Sequence, residues 1–216
     1  MSGFFSRLFG GGDKAKVERR LRHPRDLLVG DIIKFSYLKQ HDLSAQQFEV
    51  AQINTYVYGG LDYPELVLKD RSGNIVYLMV EEEDGEEYLA LSKKVKKAQI
   101  REVISQEDLD AVMQRGTGTK VKVASQPEGL EQWLTKKYRE TDDNVKGSFV
   151  KGDMRTLSAE EGRRQERFTS HTLVDKSDKY ALEIEIYETG EIELSVTVYH
   201  DIDDIDEMWP AQVSDT

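Results

Sequence analysis

The clearest pattern in the chain lies toward its C-terminal end. In KYALEIEIYE (179–188) and EIELSVTVYH (191–200), apolar and polar residues alternate with a period of two. That period marks a strand, because successive side chains point to opposite faces. Leu182, Ile184 and Ile186 share a face with Ile192, Leu194, Val196 and Val198, and Thr189-Gly190 supplies the turn between them. Glutamate, serine and threonine fill the other face, which predicts a hairpin with one buried and one solvated side. RFTSHTLVD (167–175) adds a strand upstream.

The same texture fills residues 27–104. LLVGDIIKFSYL places a turn at Gly30-Asp31 ahead of a strand, and FEVAQINTYVYGG reads as a strand closed by Gly59 and Gly60. YPELVLKDRSGNIVYLMVEEEDGEEYLAL holds two or three more, with turns at Ser72-Gly73-Asn74 and Asp84-Gly85. Those turn residues tolerate the positive φ that hairpins need. Val67, Ile75 and Val80 are β-branched, as pleated surfaces favour.

Helical spacing is confined to a few places. Ser105 is a suitable cap for ISQEDLDAVMQRG, with Leu109, Val112 and Met113 on one face and Gly116 to end it. TKVKVAS alternates as a short strand. PEGLEQWLTKKYRE (127–140) puts Leu130, Trp133, Leu134 and Lys137 on one helical face. In DIDDIDE (201–207), Ile202, Ile205 and then Met208 or Trp209 predict a short acidic amphipathic helix or tail. The expected fold class is α+β, predominantly antiparallel β in a sheet or small barrel, with two or three short helices.

The chain divides on this reading into an apolar tip and basic linker (1–26), a β-rich domain (27–104), a helical connector (105–144) and a second β-rich half (145–216). An internal duplication is one expectation for the two β-rich parts. Tyr63 falls on Tyr180, Gly73 on Gly190, Ile75 on Ile192 and Met79 on Val196, all at a shift of 117 residues, and the same shift lays Gly30 on Gly147. The alternation of the first strand slips by one in that alignment, so a bulge is required. The alternative is that two unrelated hairpins with glycine turns align this well.

Composition narrows the function classes. A net charge of −11 argues against nucleic acid as a partner, since phosphate contacts need a basic face. With no cysteine, disulfides, thiolate metal sites and cysteine nucleophiles are removed together. No stretch approaches the roughly 20 apolar residues that span a bilayer, and FFSRLF is too short for a secretory core. The expected location is cytoplasmic, with the inner-membrane surface as a peripheral address.

Chemistry-bearing motifs are sparse. His23, His41, His171 and His200 lie at none of the spacings that gather metal ligands, so no metal and no cofactor is expected. DIDDIDE lacks the glycine and distal glutamate of a calcium loop. GTGTK (116–120) lacks the spacer of a phosphate loop. EEEDGEE (81–87) and KKVKK (93–97) read as an acidic turn and a basic strand end that face each other across a hairpin. No catalytic constellation stands out, and the chain reads as a non-enzyme. Tyr56, Tyr58 and Tyr63 around Gly59-Gly60 mark either a ligand cleft or ordinary strand residues beside a loop.

The remaining lead is the N-terminal stretch GFFSRLFGGG. Phe4, Phe5, Leu8 and Phe9 surround Arg7, and Arg19, Arg20 and Arg22 follow in a basic run. The apolar group can plug the protein's own core, enter a partner's groove, or dip into an anionic membrane beside the arginines. Together with LLVGDIIKF and LDYPELVLKDRSGNIVYLMVEEED, this start resembles bacterial proteins of a domain-of-unknown-function family of the 4178 type. Genes of that family often lie beside those for phage-shock-protein-A-like membrane-maintenance proteins. The resemblance implies a scaffold or binding role with a protein partner of that kind, and carries over no active-site residue. The other expectation is a small-molecule or nucleotide-binding domain, or an enzyme accessory subunit.

Overall fold

The alternating segments pair into one antiparallel sheet. The computed structural model describes residues 19–114, 116, 118–158 and 164–211. Phe4, Phe5, Arg7, Leu8 and Phe9 lie outside them. Among the described residues eleven strands run in chain order: β1 (Ile32–Phe35), β2 (Gln47–Tyr58), β3 (Leu61–Lys69), β4 (Ile75–Glu83), β5 (Glu86–Lys94), β6 (Lys120–Lys122), β7 (Lys137–Val150), β8 (Glu166–Val174), β9 (Tyr180–Tyr187), β10 (Ile192–Asp201) and β11 (Ile205–Trp209). Two short helices, α1 (Ile100–Val103) and α2 (Gln106–Met113), sit between β5 and β6. Ser105 caps α2 by accepting from the Asp108 N–H at 3.0 Å, as its position ahead of the apolar face requires. Among the described residues no helix is long and apolar enough to cross a membrane.

Two meanders make up the sheet. β1 to β5 pair each with the next, and β6 to β10 do the same. The meanders join along two seams, β5 with β10 and β2 with β7, so β2–β3–β4–β5–β10–β9–β8–β7 closes into a ring of eight strands that is not a regular barrel. β1, β11 and β6 hang from its edges. In this order the β4–β5 hairpin corresponds to β9–β10. The 117-residue shift, which lays β3–β4 on β9–β10, is therefore one strand out of step with the topology.

One face of the ring strands is apolar. Leu66, Leu78, Leu91, Val198, Val196 and Leu182 follow one another across paired strands. They form one continuous cluster with Leu27, Ile33 and Phe35, with Val103 and Leu109 of the helices, and with Trp133. The opposite face turns into the ring. Lys94 of β5 reaches over the ring of Phe149 on β7, 5.8 Å from its centroid, and Tyr56 of β2 engages Glu185 of β9. These pairs of strands lie opposite each other in the closed order, so the polar face is the interior. β9 accordingly buries residues of both parities.

Three sequence expectations fail here. Residues 127–140 are not a helix. Leu130 and Trp133 close successive turns onto Pro127 and Leu130, Gly129 sits at φ +83, and Lys137 already opens β7. The three-residue spacing was real but belongs to turns, which bury Trp133 with its indole N–H on Asp42 at 3.1 Å. The acidic segment after β10 is one 3-10 turn, Ile202–Asp204, followed by β11. β11 pairs with β1, Ile32 opposite Trp209. The free edge of β1 offers hydrogen bonds that outweigh the weak helix preference of an aspartate-rich run. Finally, EEEDGEE and KKVKK lie at opposite ends of β5. Glu87 instead meets His23 and Arg25, Lys94 meets Glu193, and Lys97 meets Glu191.

Candidate functional site

The ring encloses a cavity of about 980 Å³, lined from seven of its eight strands and from the loops at one end. That volume is at the upper end of what small-molecule sites occupy, roughly 300–1,000 Å³. Beside it lies an aromatic floor. Tyr56 packs edge-on to Phe149 and Phe168 at 5.2 and 5.7 Å, and Tyr58 edge-on to Phe168 and Tyr63 at 5.6 and 6.0 Å. Gly147 makes this approach possible, because a Cβ there would stand 2.6 Å from the Phe168 ring and 2.8 Å from Tyr58. Of the three tyrosines that mark the sequence-level cleft, Tyr58 lines the cavity, while Tyr56 and Tyr63 form the wall behind it.

Carboxylates dominate the lining. Glu81, Glu82, Glu83, Asp142, Asp178, Glu183, Glu185, Asp201 and Asp204 line the space, against Lys39 and Lys179; Glu82, Glu83, Asp142, Asp178 and Asp201 are exposed, and Glu81, Glu183 and Glu185 lie further in. Glu65 lies deeper, buried behind them. Strand pairing explains the convergence. Glu81, Glu183 and Glu185 share the strand parity of Tyr77, Tyr199 and Tyr187, and ring closure carries that parity inward.

Each inner carboxylate has a defined setting. Asn54 donates to Glu65 Oε2 at 2.9 Å. Thr197 donates to Glu183 Oε1 at 2.8 Å, and Ser92 backs Thr197 at 2.8 Å. Tyr187 donates to Glu185 Oε2 at 2.7 Å. Burial pushes Glu65 up to about 7 despite the Asn54 bond. Burial, and then the charge of Glu83, takes Glu81 to about 7. Burial, and then the charge of Glu81, takes Glu183 to about 8. Glu185 is raised by burial as well. Burial works against the Lys94 ammonium, yet its bond to Glu193 holds it above the ordinary lysine range.

This arrangement has a plain chemical meaning. Removing several carboxylates from water disfavours their charged forms. A cation entering the cavity restores those charged forms, and phosphate would be repelled. Tyr58, Tyr88, Tyr180 and Tyr199 also line the space, and aromatic faces attract organic cations.

Sequence reasoning assigned none of these glutamates to a site, Glu81 being read as part of an acidic turn. It read their face as solvated, since alternation tells which positions share a face and not whether the face curls inward. The available signal was the tyrosines of the same parity, Tyr187 beside Glu185 and Tyr199 beside Thr197. The basic run fares differently. Arg20 and Arg22 are exposed, whereas the Arg19 guanidinium is paired with the fully buried Asp31. No protein-family model, curated protein or solved structure matches the chain, so the family resemblance stands on its quoted residues alone.

Proposed function

We propose that this protein is a binding module for a small organic cation, an amine or guanidinium compound, held inside the strand ring. One observation carries the reading: among the described residues, nine carboxylates and four tyrosines line one cavity, against two lysines. Carboxylates supply charge, tyrosine faces supply cation–π contact, and Thr197 and Tyr187 fix the orientation of the inner pair. The same lining disfavours nucleotides, whose phosphates would meet like charge.

The reading is tested by thermal shift and calorimetry with spermidine, arginine and tetramethylammonium, with ATP as the anionic control. The expected result is stabilisation by at least one cation and none by ATP. Glu81→Gln should weaken that binding at least tenfold. Stabilisation by ATP, or cation binding that Glu81→Gln leaves unchanged, would overturn the assignment. Attachment through Phe4, Phe5, Leu8 and Phe9 to an anionic membrane or to a phage-shock-protein-A-like partner concerns a segment outside the described residues.

A further inference from the structure

A second cluster forms on the other face of β8, away from the cavity. In a regular strand, residues three apart point to opposite sides, so Glu140 and Asp143 of β7 would not share a partner. β7 breaks register twice, between Glu140 and Asp142 and between Asp142 and Val145, and Asn144 sits at φ +59. Bulges of this kind re-aim side chains. Here both carboxylates turn toward His171 of β8. His171 Nδ1 stands 3.2 Å from Glu140 Oε1 and 3.4 Å from Asp143 Oδ1.

The remaining oxygens are held from outside. The Thr119 N–H donates to Glu140 Oε2 at 3.3 Å, and the Gly116 N–H donates to Asp143 Oδ2 at 3.0 Å. That leaves Glu140 Oε1, Asp143 Oδ1 and His171 Nδ1 converging, all within 4.8 Å of one another. Glu140 and His171 are buried, at 1% and 3% exposure. Among the described residues, Asp143 Oδ1 is fully shielded and has no hydrogen-bond partner. Among the described residues, neither carboxylate forms an ion pair with a lysine or arginine; the imidazole is the basic side chain that each meets.

These are the features of a metal site rather than of a simple ion pair. An ion with bonds of about 2.1 Å holds neighbouring donor atoms about 3.0–3.4 Å apart, and both Nδ1–oxygen separations fall there. Two carboxylates and a neutral imidazole carry a charge of −2, which one divalent ion cancels. We propose that Glu140, Asp143 and His171 bind a single divalent first-row transition ion, with its remaining coordination positions open. A nitrogen donor favours zinc over magnesium. Sequence reading set metals aside because no histidine shares a segment with a second ligand. Strand pairing supplies the missing two, thirty-one and twenty-eight positions away from His171.

The test uses the full chain stripped with a chelator, then titrated with zinc, and with magnesium as control. Calorimetry and metal analysis after desalting should show one zinc per chain and no comparable magnesium binding. Asp143→Asn and His171→Gln should each weaken zinc at least tenfold, whereas the exposed His41→Gln should not. Cobalt loading of the wild-type chain should give a visible absorption band that His171→Gln abolishes. Failure of the wild-type chain to retain one zinc overturns the proposal whether or not the variants fold. So does zinc binding that Asp143→Asn and His171→Gln leave intact.

Discussion

Replacing Glu183 by glutamine isolates the energetic consequence of lining a ring with acids. Glu183 has an ordinary pKa of 4.5 and is pushed up to about 8 in the folded protein. At pH 7 the folded chain therefore holds this carboxyl mostly protonated, while the unfolded chain releases the proton. The unfolded state binds fewer protons, so stability falls as pH rises through the window from about 4.5 to 8. Each pKa unit corresponds to about 1.4 kcal/mol. Over the two and a half units between 4.5 and 7 this amounts to about 3 kcal/mol, and the open cavity reduces it toward about 1–2 kcal/mol. Glu183→Gln removes the titration while its carbonyl still accepts from Thr197. The variant should gain about 1–3 kcal/mol over wild type at pH 7.5 and about a fifth of that at pH 5. Urea unfolding of both proteins at the two pH values measures this. An equal difference at pH 5 and pH 7.5 would show that the Glu183 carboxylate is not held against its charge, and would undo the electrostatic account of the cavity.

Other consequences follow from the same geometry. Cation affinity should rise between pH 6 and pH 8.5, with proton release on binding, because Glu65, Glu81 and Glu183 ionise across that span; calorimetry in buffers of different ionisation enthalpy reads both. Gly147→Ala forces a methyl against Phe168 and Tyr58 and should cost about 1–3 kcal/mol, seen as a lowered thermal midpoint. Asp31→Ala should cost about 2–4 kcal/mol in urea unfolding, because it strips two backbone N–H groups of a charged acceptor. Fully buried Asp31 accepts from the N–H groups of Leu28 and Ala211 at 2.7 and 2.8 Å and pairs with Arg19, tying both ends of the described chain to β1.

Local patterns survived the passage into three dimensions better than global ones. The period of two in 179–200 became β9 and β10 with their turn, and Ser105 caps α2 as its sequence neighbours indicate. Both are decided by contacts between residues close in the chain. The interior of the ring is not. Glu65, Glu81, Glu183 and Glu185 come from three strands, and only closure of β2 on β7 makes their face a cavity. Likewise Ile202, Ile205 and Met208 have helical spacing, but the unpaired edge of β1 draws that segment into a strand. Glu140 and Asp143 meet His171 through a double bulge, which no periodic template anticipates.

The two seams of the ring are unequal. β5 and β10 join through seven opposed residue pairs, from Tyr88–Asp201 to Lys94–Ser195, whereas β2 and β7 join through four, from Thr55–Val150 to Tyr58–Gly147. Both link residues far apart in sequence, while each meander is built from neighbours. Distant pairings close late in folding because their loop entropy must be met first. With four pairs against seven, the β2–β7 seam is the natural last step of assembly, and the natural first breach under thermal agitation. Parting there would unzip the ring beside Tyr58 and leave both meanders whole. Amide exchange at Thr55–Tyr58 should then outpace that at Tyr88–Lys94, and an occupant of the cavity should slow it. In this molecule, finishing the fold and shutting the door on a guest would be one event.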